Sequence, residues 1–209
     1  MPAPDTTRPV LESGDHLTQV EFHRRYCARP DIKKAELVEG VVFVASPVRF
    51  DVHGEPHAAM VAWLSMYRAG RPGLLAGDNA TVILDADNEV QPDMLLWREE
   101  PGGPRLVGGY IEGAPQLVVE VSASSAAYDL HEKMRAYRRN GVHEYIVWRV
   151  MDGAIDWFRL REGEYVLAHP DTRGVIESDG FPGLRLNVSK MLAGDLAGVL
   201  AELEPHAAG

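Results

Sequence analysis

The sequence predicts a mixed α/β fold, of α+β character: a central mixed β-sheet flanked by α-helices, with additional β-hairpins. Three observations carry this expectation. Short runs rich in β-branched residues, such as ATVILD, PDMLLW and QLVVEVS, read as strands. Two apolar-periodic stretches, HAAMVAWLSMYRAG and LHEKMRAYRRN, read as helices. Strands outnumber helices, without the regular strand and helix alternation of a parallel-sheet protein.

In chain order, LTQVEFHRRYC (17–27) places Val20, Phe22 and Tyr26 near helical spacing, which predicts a short amphipathic helix. AELVEGVVFVAS divides into two strands at Glu39-Gly40, a hairpin signal. Pro56 fits the first turn of the next helix, which carries His57, Met60, Val61 and Leu64 on one side and has Gly70 near its end. The three strand-like runs follow, and EEPGGPRLVGG between the last two reads as a surface loop. LHEKMRAYRRN is expected to stop at Gly141, with DLHE as a capping box that puts Asp129 at the helix start. EYIVWRV, AIDWFRL and EYVLAHP are expected as strands, and LNVSKMLAGDLAGVLAEL as a closing helix. No repeat or linker divides the chain, so one domain over 15–203 is expected, with 1–14 and 204–209 as flexible tails.

The 209 residues, 45% hydrophobic and 25% charged, suit one domain with a sizeable core. Cys27 is the single cysteine and cannot form an intramolecular disulfide. MPAPDTTRPV lacks a basic start and an apolar run, so a cytoplasmic protein is expected. No apolar run approaches the length of a membrane span, which argues against a membrane partner. A net charge of −10 argues against a broad basic surface for coating DNA. It leaves room for a site in which carboxylates gather round a hard cation.

Glu120 is the most informative residue, because QLVVEVS sets a carboxylate in the middle of an apolar strand. Burial there without a partner is costly. Alternation places Val118, Glu120 and Ser122 on one face, so that face must offer a cleft, a cation or a strong donor. Asp93 raises the same question at the start of the apolar run after Pro92. Each also has a structural reading: Asp93 as a turn acceptor, Glu120 as a solvent-facing residue of an edge strand. Glu36 in AELVEG is less distinctive beside Glu39. Lys133 follows Asp129 by one turn and precedes Tyr137 by one turn, which also allows a plain surface pair with Asp129.

The series AELVEGVV, SPVRFDVHGEPHAAM, VQPDMLL and IEGAPQLVVEVSASSAAYDLHEKMRAYRRNGVHEYIVW resembles the Uma-type restriction-endonuclease family in order and separation. The resemblance covers the chain from about residue 17 to the C-terminal helix and is most specific over 116–148. It implies a restriction-endonuclease-like core and a PD-(D/E)xK site for metal-dependent hydrolysis of phosphodiester bonds. Asp93 and Glu120 match the two acids of that motif. Ser122 stands where its simple form has lysine, and the resemblance places the lysine at Lys133 instead, with an upstream acid at Glu36.

The implied roles are Mg²⁺, or Mn²⁺ in its place, on Asp93, Glu120 and Glu36, and Lys133 orienting the attacking water or neutralising the scissile phosphate. His57 matches a family position near the site, although a histidine on the apolar side of a helix is ordinarily a packing residue. Tyr137 is expected in the core. DNA is the implied substrate and a homodimer the implied assembly, since cutting both strands of a duplex takes two sites. The competing expectation is a catalytically silent nucleic-acid-binding or interaction domain on the same scaffold, for which Ser122 and the acidic net charge speak.

Overall fold

The computed structural model describes residues 9–47, 49–123 and 125–204. The expectations for the outermost tails, 1–8 and 205–209, lie outside the described residues. Helix α1 (Gln19–Cys27) starts at Thr18, whose hydroxyl accepts the N–H of Glu21. A hairpin of β1 (Ala35–Val38) and β2 (Val41–Val44) follows. Its turn residues Glu39 and Gly40 have φ of 52° and 75°. Two successive positive φ values match the twist of a two-residue hairpin.

A π-helical segment (Phe50–Gly54) runs into α2 (Glu55–Arg68), with Pro56 in the first turn where its missing N–H is no loss. Next come β3 (Leu74–Asp78), β4 (Val82–Asp85), β5 (Asn88–Val90), β6 (Met94–Arg98), β7 (Arg105–Val107), β8 (Tyr110–Glu112) and β9 (Leu117–Ser122). One helical stretch then joins α3 (Ala126–Tyr128), a π-helical turn (Asp129–Lys133) and α4 (Met134–Arg139). It leads to β10 (Glu144–Arg149), β11 (Ala154–Arg161), β12 (Glu164–Leu167), β13 (Val175–Glu177) and β14 (Arg185–Asn187). Two short helices, α5 (Val188–Leu192) and α6 (Leu196–Leu200), close the series.

The strands form two six-stranded sheets, ordered β2-β1-β5-β4-β8-β7 and β12-β11-β10-β9-β6-β3, and a separate β13-β14 hairpin. The second sheet is mixed. Its β9 and β10 run parallel, joined by the helical stretch, while its other pairs are antiparallel.

Period-two alternation sorts the side chains of β9. Leu117, Val119 and Val121 pack in one cluster with α2, α5 and α6, and Val118 packs in the opposite cluster with α4 and the first sheet. Met94 and Leu96 of β6 join the former, Leu95 and Trp97 the latter. Full burial of one such aliphatic side chain contributes about 1.5–3 kcal/mol. A slip of one residue would exchange the two faces. The apolar residues of β9 therefore fix where Glu120 points, which is into the space between α4 and the first sheet. In β1 the alternation sends Ala35 and Leu37 to a third cluster under α1, and Val38 to the α4 side. Glu36 shares the face of Val38.

Several expectations need correction. EEPGGPRLVGG is not wholly loop, because β7 lies in it and pairs with β8 as an exposed hairpin. Asp129 does not cap a helix start. The helical stretch begins earlier, at Ala126, and the Asp129 carboxylate instead accepts from Ser122 Oγ at 2.6 Å and Ser125 Oγ at 2.7 Å. The closing helix is two helices, since Gly194 adopts a φ of 74° and Asp195 caps a new start by accepting the N–H of Gly198. Near the N-terminus, Leu11 is buried in the cluster under α1.

Candidate active site between the two sheets

Four segments supply the site: β1 with the residue before it, the turn entering β6, the end of β9, and the π-helical turn. The antiparallel register of β6 and β9 pairs Met94 with Val119, so one further step sets Asp93 opposite Glu120. Opposed residues of an antiparallel pair point to the same face. The sequence-predicted acids therefore share one side of the sheet. Asp93 is anchored there by the N–H of Val121, which donates to its Oδ2 at 2.8 Å.

Glu36, Asp93, Glu120 and Lys133 are all buried. Lys133 Nζ lies 2.5 Å from Glu120 Oε1, donates to Glu36 Oε1 and Oε2 at 3.0 and 3.2 Å, and stands 3.9 Å from Asp129 Oδ1. The structure thus brings Glu36 and Glu120 each into direct contact with Lys133. Asp93 is held by a different cation, Lys34, whose Nζ is 3.1 Å from its Oδ1. The surface pair considered for Asp129 and Lys133 is a buried one, with both side chains facing the site.

Several members of the site carried no sequence signal. Lys34 precedes β1 by one residue, and His53 comes from the π-helical segment before α2, its Nε2 3.7 Å from Asp93 Oδ1. Gln91 donates its backbone N–H to Glu36 Oε1 at 2.7 Å. Tyr137 lies in the core as expected, yet its hydroxyl also donates to Glu120 Oε1 at 2.8 Å. His57 is not merely packed: its Nε2 lies 3.0 Å from Asp78 Oδ1 and 3.2 Å from the Asp93 carbonyl oxygen, at the rim. Period-two spacing relates Lys34 to Glu36 and could have drawn attention to it. His53 and Gln91 meet the site only through long-range contacts.

The electrostatics follow from burial and imperfect neutralisation. Burial pushes the Glu120 carboxyl up to about 8 against the opposing pull of Lys133, with Asp93, Asp129 and Glu36 adding to the rise. Burial alone would depress the Lys133 ammonium, but Glu120, Glu36 and Asp129 outweigh it and hold it well above its ordinary value. Asp93 goes the other way: burial opposes its ionisation, and Lys34, the Val121 N–H and His53 more than compensate. Asp129 is raised, chiefly by burial.

Four carboxylates, Glu36, Asp93, Glu120 and Asp129, thus face two lysines, Lys34 and Lys133. Such a surplus of oxygen donors and negative charge fits Mg²⁺ in both ligand type and charge. The Tyr128 hydroxyl is buried without a protein hydrogen-bond partner, in the field of Glu36 and Lys133. Among the described residues, no three carboxylate, imidazole or thiol groups already enclose a metal-sized space.

A family described as "Putative restriction endonuclease", Uma2, matches residues 20–189. The chain belongs to the Uma2 family. Its match spans every segment that builds the site, from β1 to the helical stretch after β9. No curated protein matches this Uma2 chain. Among solved structures, a "putative nuclease" from Anabaena variabilis is similar, with a TM-score of 0.62 at 12% identity, over 81% of this chain and 96% of that one. At that identity the likeness shows the fold, a restriction-endonuclease-like mixed α/β core. No helix among the described residues is long and apolar enough to cross a membrane.

Proposed function

We propose that this Uma2 chain is a metal-dependent endonuclease that hydrolyses phosphodiester bonds of DNA at a PD-(D/E)xK-type site. One observation carries the reading: the β6–β9 register, extended one step, sets Asp93 opposite Glu120, and the Lys133 ammonium contacts both Glu120 and Glu36. Asp93 and Glu120 would hold Mg²⁺, or Mn²⁺ in its place, with Glu36 as a further ligand directly or through water. When bound, the cation lowers the pKa of water and stabilises negative charge on phosphate.

The protein's own groups supply orientation. Lys133 and Tyr137 both engage Glu120 Oε1 and so fix the orientation of the carboxylate that would hold the cation. The Val121 N–H fixes Asp93 through Oδ2, and the Gln91 N–H fixes Glu36 through Oε1. Lys133, held among three carboxylates, orients the attacking water against Glu36 and Glu120. Such positioning gains its strength from the low dielectric of a buried site.

A second reading, a silent binding or interaction scaffold, is favoured by Ser122. It stands where the simple motif has lysine, and its hydroxyl is committed to Asp129. Nicking and linearisation of supercoiled plasmid in Mg²⁺, Mn²⁺ or EDTA, beside Asp93→Ala and Lys133→Ala, separates the two. Metal-dependent cleavage lost in both variants is expected, and absence of cleavage of DNA and of a parallel RNA substrate under every metal would reject the nuclease.

We assign a homodimer to the active form, paired through β12. This is an edge strand of the second sheet, and it exposes Val166 and Leu167. A monomeric mass by light scattering at cleavage-assay concentration would reject it.

A further inference from the structure

We infer that Lys34, and not Lys133, is the cation that meets the scissile phosphate. The inference rests on the nuclease reading and divides between two lysines the pair of tasks that one would otherwise perform.

Lys133 is sealed in. Its side chain is 2% exposed, its ammonium is engaged by Glu36, Glu120 and Asp129, and the rings of Tyr128 and Tyr137 flank it with centroids 6.0 and 5.9 Å away. A phosphodiester cannot reach it without dismantling that shell. Lys34 has the opposite situation. Its side chain is 26% exposed, and its Nζ bridges Asp93 Oδ1 at 3.1 Å and Asn79 Oδ1 at 3.3 Å. The Ala45 N–H donates to the Lys34 carbonyl, which extends the β1–β2 pairing one step. Alternation then carries the Lys34 side chain to the face of Glu36, at the outer edge of the carboxylate group.

The rim beside Lys34 is polar. His53 Nε2 is 3.7 Å from the same Asp93 oxygen, and His57 stacks on His53 with ring centroids 5.6 Å apart. The carboxylate of Asp78, near His57 and the Asn79 amide, is the opposing charge on this rim. Asp93 would hold the cation, and the flexible Lys34 stem, released from that carboxylate, could swing its ammonium toward solvent. It would meet the substrate there as a point charge with three donors. Lys133 keeps its place among Glu36, Glu120 and Asp129.

The test is fluorescence anisotropy of a labelled DNA duplex with Ca²⁺ in place of Mg²⁺, over a salt series, for the full chain and for Lys34→Gln and Lys34→Arg. Losing one phosphate contact lowers the magnitude of the slope of log Kd against log salt by about one. Lys34→Gln is expected to show that decrease and weaker binding at low salt, measured below a melting temperature that loss of the Asp93 pair lowers. Lys34→Arg is expected to keep the wild-type slope. A wild-type slope in Lys34→Gln, where the wild-type protein itself binds with a measurable slope, overturns the assignment and leaves the nuclease reading standing. Failure of the wild-type protein to bind either a duplex or a single strand overturns both.

Discussion

Tyr137 donates its phenolic hydrogen to Glu120 Oε1 at 2.8 Å, and both groups are buried. The bond crosses from α4 to β9 and gives a carboxylate in an apolar strand one of its few partners. Tyr137→Phe removes that donor while keeping the ring. Leaving a buried acceptor short of a partner costs about 1–3 kcal/mol. Urea denaturation should show that loss, and an unchanged midpoint would mean the bond is absent in solution.

Lys133 offers a harsher test. Lys133→Met fills similar space but leaves Glu36, Glu120 and Asp129 without their shared cation. Breaking a buried pair from one side costs about 3–5 kcal/mol. Adding Glu36→Gln to the same chain removes one uncompensated charge, so the double variant should regain part of the lost stability. Additive losses in a double-mutant cycle would show that the two groups are not coupled.

The raised Glu120 carboxyl makes a signed prediction for pH. Its folded value of about 8 lies above the ordinary 4.5, so the folded state holds a proton that the unfolded state releases between these values. Its contribution is fully present below the lower value and is lost as pH rises through the upper one. In metal-free buffer the melting temperature should therefore fall from weakly acidic to weakly alkaline pH, and Glu120→Gln should flatten that slope. An equal slope in the variant would place the titration elsewhere.

A cation held by Asp93 and Glu120 reverses this trend, because it binds the ionised carboxylates. Mg²⁺ should raise the melting temperature more at alkaline than at acidic pH, and EDTA should abolish the gain. Asp93→Asn should lose the response altogether. A uniform Mg²⁺ effect across pH would point to binding away from Glu120.

Much of this arrangement was legible in the residues, for identifiable reasons. Glu39-Gly40 marks its hairpin because positive φ at both positions is a local demand. Glu120 declares its face because alternation is local too, and its apolar neighbours are sorted between the two faces of the sheet. The β3 strand was missed because LLAGD carries Gly77 and Asp78, both poor strand formers. NEV, as β5, is too short to show a period. DLHE matches a capping box in spelling, but the Asp129 carboxylate is taken by Ser122 and Ser125. His53 and Gln91 join the site through contacts with residues far away in the chain, and no window of sequence contains both partners.

The Lys133–Glu36 pair joins residues 97 apart and comes from opposite sides of the space between the sheets. Neither sheet alone owns the site: Glu120 lies in the second sheet with Asp93 at the entry to its β6, and Glu36 lies in the first with Lys34 just before its β1. The carboxylates therefore cannot converge on one another in a half-folded chain. Closing so long a loop carries an entropic cost that only docking of the two sheets recovers. Any cutting power this chain has is thereby withheld during synthesis until Lys133 has emerged and the two interleaved sheets have met.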